Sequence, residues 1–65
     1  MRSYSSKEVI RLLEADGWIL VRTRGSHQQY KHPRKKGIVM LPHPKKDIPT
    51  ATLKSISLQS GVRFD

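Results

Sequence analysis

The sequence predicts an α+β domain of order α-β-β-β-α, a three-stranded antiparallel sheet with two helices packed on one face. Three observations lead there. A capping box at Ser5-Ser6-Lys7-Glu8 opens a stretch with helical apolar spacing. The segment Arg22-Thr23-Arg24-Gly25-Ser26-His27-Gln28-Gln29-Tyr30-Lys31 carries a Gly-first dipeptide between two strand-like runs, the signal of a two-residue hairpin turn. A second helical stretch lies between Pro49 and Gly61. With 65 residues the chain forms one domain spanning residues 1–65. A domain this small buries only about 60% of its unfolded surface. Function is therefore expected on a face, a loop or an interface.

The elements follow in order. Val9, Ile10, Leu12 and Leu13 make the apolar stripe of a first helix over residues 6–16, with Gly17 as its left-handed terminator. Residues 18–24 read as a first strand and 27–31 as a second, joined by the turn-forming pair Gly25 and Ser26. Arg24 then faces His27, Arg22 faces Gln29 and Leu20 faces Lys31. Strand alternation puts Arg22, Arg24, His27, Gln29 and Lys31 on one cationic face, and Ile19, Val21, Thr23, Gln28 and Tyr30 on the other. Pro33 and Gly37 break the loop that follows. Ile38-Val39-Met40-Leu41 is a short third strand stopped by Pro42, because the prolines of Pro42-His43-Pro44 remove ladder donors. Pro49 suits the first turn of a second helix over residues 50–60, with Leu53 and Ile56 on its inner face. Residues 62–65 are expected to fray, with Val62 folding back. Trp18 and Tyr30 are expected in the core.

Thirteen Lys and Arg against five Asp and Glu give a net charge of +8. That favours a polyanionic partner: nucleic acid, an acidic protein or an anionic membrane surface. The basic residues are not gathered on an amphipathic helix, which disfavours the membrane. There is no cysteine, which excludes a disulfide framework and a thiolate metal site. No apolar run is long enough to span a bilayer, and Met1-Arg2-Ser3-Tyr4-Ser5-Ser6 lacks the apolar core of a signal peptide.

His27 is the candidate for chemistry, since imidazole takes up or gives a proton near neutral pH. Arg24, Arg22 and Lys31 are candidates for holding phosphate beside it. Lys45 and Lys46, ahead of the second helix, are further candidates, where the helix dipole also favours an anion. His32 and His43 each neighbour a proline and read as turn residues whose rings hydrogen-bond locally. The three histidines lack zinc spacing, so neither a metal nor a cofactor is expected.

The strings Asp16-Gly17-Trp18, Arg24-Gly25-Ser26-His27, Lys31-His32-Pro33, Pro42-His43-Pro44, Asp47-Ile48-Pro49, Thr52-Leu53-Lys54-Ser55-Ile56 and Ser60-Gly61 follow one another at spacings that resemble the HicA toxin family. The resemblance runs from about Ser5 to Val62. It implies the fold of a double-stranded-RNA-binding domain and the activity of a bacterial mRNA interferase. It also implies a cytoplasmic setting and a HicB-type antitoxin covering the His27 face. The family's catalytic histidine in its Gly-Ser-His motif matches His27. Many members carry a second histidine where this chain has Gln28, which leaves His27 alone at the turn. The alternative is a non-catalytic double-stranded RNA-binding module, which has no need of His27 beside Arg24. A subunit that binds only protein is the third reading.

Overall fold

A computed structural model of the chain describes residues 2–65. Its elements are α1 (Ser6–Asp16), β1 (Ile19–Arg24), β2 (His27–Lys31), β3 (Val39–Pro42) and α2 (Thr50–Ser60). The strands form one antiparallel sheet in the order β1-β2-β3. The predicted architecture is the observed one.

The start of α1 is fixed by local chemistry. The Glu8 amide donates to Ser5 Oγ at 3.2 Å, and the Ser5 amide donates to Glu8 Oε1 at 3.0 Å. Two N–H groups that the helix itself cannot satisfy thereby find partners. At the other end the Gly17 amide reaches the Glu14 carbonyl and the Trp18 amide reaches that of Leu13, a Schellman closure around Gly17 at φ +107°. The buried stripe of α1 is narrower than its apolar pattern: Val9 and Leu13 are fully buried, Ile10 is half-buried and Leu12 is exposed. In α2, Leu53 and Ile56 are buried as the spacing predicts. Pro49 sits at the N-cap of α2 rather than inside its first turn.

Both helices share one core with Trp18, Tyr30, Val39 and Leu41. Tyr30 pairs with Val39, and Gln28 pairs with Leu41, so these residues line one side of the sheet. Strand β1 contributes no buried side chain. The expected apolar face of Ile19, Val21 and Thr23 is exposed throughout. A bulge accounts for Ile19: the register shifts between Leu20 and Arg22, so Leu20 pairs with Tyr30 and Ile19 with Lys31. One inserted residue exchanges the faces of everything before it. Ile19 therefore lies on the open side beside Lys31, and Leu20, not Ile19, on the helix side.

Two further expectations are corrected. Strand β3 runs Val39–Pro42, and Pro42 sits in the ladder opposite His27. Proline is tolerated there because β3 is an edge strand with its outer side unpaired. The C-terminal residues are docked, not frayed. Phe64 is buried against Tyr4, with ring centroids 5.3 Å apart, and the Asp65 amide donates to Tyr4 Oη at 3.0 Å. Val62 is partly buried against the core.

Candidate functional site: an open cationic sheet face

The hairpin tip is built as the dipeptide Gly25-Ser26 implies. Gly25 adopts φ +59° and Ser26 keeps a negative φ, and Arg24 pairs with His27 across the turn. A Gly at positive φ in the first central position is the requirement of a type II′ turn, whose twist matches the strands it joins. His27 is exposed, between Arg24 on one side and Pro42 on the other. Among the described residues its ring has no hydrogen-bond partner.

The bulge falls before Arg22, so the paired face at the tip is the predicted one. Arg22 lies opposite Gln29, two positions along from the Arg24–His27 pair. Lys31 is on the same face, but four residues along a strand at about 3.3 Å each puts its backbone about 13 Å from that of His27. Arg24 and Arg22 can therefore share one phosphate with His27, whereas Lys31 is placed for a neighbouring one. Met40, opposite Gln29, and Ile19, opposite Lys31, complete this open face, and both are exposed. Arg22, Arg24 and Lys31 enter no ion pair among the described residues, so their charge is directed at solvent.

Lys45 and Lys46 are held elsewhere than expected. Their segment packs on the start of α1, not on α2: the Ser6 amide donates to the Lys45 carbonyl at 2.8 Å, and the Lys45 amide donates to Ser6 Oγ at 2.9 Å. With Ser5, Ser6, Lys7, His43 and Pro44 they line a groove of about 600 Å³. His27 is not part of this groove. The two are adjacent through the backbone, because the His43 amide donates to the Ser26 carbonyl at 2.7 Å.

The other two histidines make structural bonds, and their reach is longer than the sequence implies. His32 Nδ1 accepts the amides of Arg34 and Lys35, so Nε2 carries the proton and donates to the Asp16 carbonyl at 2.7 Å. The ring also meets Trp18 edge-on at 5.2 Å. His43 Nδ1 lies 2.7 Å from Ser6 Oγ. The roles of Ser6, Lys7 and His43 in the groove escape sequence reasoning, since 37 positions separate Ser6 from His43. The only visible hint is the crowding of Pro42-His43-Pro44-Lys45-Lys46. Among the described residues, no three His, Asp or Glu side chains gather as a metal site. No helix there is long and apolar enough to cross a membrane.

Residues 6–62 match the sequence model of a family described as the HicA toxin of bacterial toxin-antitoxin systems. The chain belongs to the HicA toxin family. A solved structure described as the HicA3 and HicB3 toxin-antitoxin complex is similar at a TM-score of 0.82 and 30% identity. That match covers 95% of this chain and 100% of the other. No curated protein matches the sequence. The HicA family thus accounts for the α-β-β-β-α order, with its hairpin tip Gly25-Ser26-His27 presented at one end of the sheet.

Proposed function

We propose that this HicA-family protein is a metal-independent endoribonuclease that cleaves mRNA and so inhibits translation and growth in the bacterial cytoplasm. The observation that carries the reading is His27 at the hairpin tip, exposed and paired with Arg24 on a face whose cations no carboxylate neutralises. In this reaction the His27 imidazole takes the proton of a 2′-hydroxyl. The 2′-oxygen attacks the adjacent phosphorus, and the bond to the 5′-oxygen breaks. The leaving oxygen takes a proton from water or a second group. The products are a 2′,3′-cyclic phosphate and a 5′-hydroxyl. Arg24, with Arg22, offsets the charge that builds on the phosphorane. A single histidine without a fixed acid opposite it favours slow turnover, which suits a growth inhibitor.

A HicB-type antitoxin is the natural partner of this face. The similar solved structure, a complex of HicA3 with HicB3, supports that choice. Covering the face would bury Ile19 and Met40 together with the cations around His27. An acidic partner would meet those charges favourably.

The test is cleavage of single-stranded RNA in EDTA by the wild type and by His27→Ala. The wild type is expected to cleave, and the variant to lose roughly 10²–10⁴-fold in rate, the usual worth of a placed proton-transfer group. Folding and RNA affinity should be nearly unchanged. Equal rates would remove His27 from the chemistry. RNA binding without cleavage by either protein would favour the non-catalytic double-stranded RNA-binding module.

A further inference from the structure

We propose that the groove between the start of α1 and the Pro42–Lys46 segment is a second RNA subsite, which holds the phosphodiester backbone of a single strand as it leaves His27. The inference rests on the RNA-directed reading above and adds where the strand goes. Three observations carry it. The first is charge. Lys7, Lys45 and Lys46 line the groove, and none forms an ion pair among the described residues. The nearby carboxylates are engaged elsewhere: Glu8 with Arg2 and the Ser5 cap, and Asp47 with Ser3 Oγ at 2.8 Å. Lys7, Lys45 and Lys46 thus carry the charge among the residues that line the groove, and no carboxylate lines it.

The second is size. At about 600 Å³ the groove falls within the range of sites for small ligands, about 300–1,000 Å³. It suits one or two nucleotide units and not the width of a duplex. The third is continuity. The His43 amide bonds the Ser26 carbonyl, and Pro42 pairs with His27, so the groove begins one residue along the chain from the cross-strand partner of His27. A strand held at Arg24 and His27 has this groove as its adjoining cationic path.

His43 supplies a directed donor. Ser6 Oγ is buried, and it already accepts the Lys45 amide. Its single proton is satisfied by donation to His43 Nδ1. The His43 proton then sits on Nε2, free to donate to a phosphate oxygen. His43 is in this account a binding residue, and it takes no part in bond cleavage.

The experiment is equilibrium binding of a fluorescent twelve-nucleotide 2′-O-methyl RNA, which cannot be cleaved. A failure of the ribonuclease reading leaves this readout intact. The triple variant Lys7→Ala, Lys45→Ala, Lys46→Ala is compared with Arg34→Ala, Lys36→Ala, Lys54→Ala, which removes equal charge outside the groove. Each phosphate of a single strand that a cation no longer neutralises takes about 0.7 from the slope of log affinity against log salt. The groove variant should therefore bind at least tenfold more weakly at low salt, with a slope shallower by about 2. The control should move either quantity far less. Equal losses in the two triples would overturn the proposal, leaving only the effect of net charge. His43→Asn adds a second arm. Its side-chain oxygen can still accept from Ser6 while the Nε2 donor is gone, so melting should be unchanged and affinity several-fold lower. Wild-type affinity in a well-folded His43→Asn protein would also count against the subsite.

Discussion

Asp16 shows how much of this small domain rests on single side chains. Its Oδ2 accepts from Lys35 Nζ at 2.6 Å and from Trp18 Nε1 at 3.2 Å, while Lys35 Nζ also donates to the Ser60 carbonyl. One carboxylate thus ties together the end of α1, the β2–β3 loop and the end of α2. The Lys35 ammonium, foremost, holds the Asp16 carboxyl below its ordinary value, with Trp18 and His32 adding to it. A lowered folded-state pKa means stability that is present above the unfolded carboxylate's value of about 3.9 and lost as pH falls through the lower folded value. Asp16→Asn is therefore expected to lower the melting temperature at pH 7, and the gap to the wild type should close below about pH 4. A gap that persists unchanged at pH 3 would mean the side chain acts through shape and not charge. None of this network was legible in the sequence, because 19 positions separate Asp16 from Lys35. His27 was legible, because a Gly-first turn fixes its neighbour Arg24 by counting alone.

Elements divide along the same line between local and distant causes. The ends of α1 could be read because a capping box and a terminating glycine act within a few residues of the positions they satisfy. The bulge at Val21 could not be read. Alternation in Ile19-Leu20-Val21 fits either register. The closure of α1 at Gly17 gives a sharp comparison with the hairpin turn. A Cβ at Gly17 would sit 2.9 Å from His32 Nε2 at φ +107°, and that ring is held by three hydrogen bonds. A Cβ at Gly25 would meet nothing within 4 Å, at φ +59°. Gly25→Ala therefore meets only the left-handed penalty, about 1–2 kcal/mol. Gly17→Ala meets a comparable penalty and must also displace His32, for a total of about 2–4 kcal/mol. At about 4–8 °C per kcal/mol for a domain of this size, thermal melting should rank the two clearly, with Gly17→Ala the lower. The reverse order would mean that the His32 ring is not the fixed wall its bonds imply.

The whole molecule is a cation with few internal counter-charges. Of its thirteen Lys and Arg, only Arg2 and Lys35 form ion pairs among the described residues. The excess charge does little for a fold held by one apolar cluster, and it opposes compaction through self-repulsion. On the RNA-directed reading proposed above, that charge serves an anionic partner outside the chain. If Arg22 and Arg24 share one phosphate of a single strand and Lys7, Lys31, Lys45 and Lys46 each meet another, log affinity should fall with log salt at a slope of about −3.5. Raising salt from about 50 to about 200 mM should then weaken RNA binding roughly a hundredfold. Lys45→Ala with Lys46→Ala should flatten that slope by about 1.4 and weaken binding to all sequences alike, since backbone contacts carry no base information. A titration of affinity against salt for the two proteins measures both quantities. A slope near zero in the wild type would mean that binding is carried by stacking or apolar contact on Ile19 and Met40. The open face would then be a protein-binding surface whose positive charge serves an acidic partner.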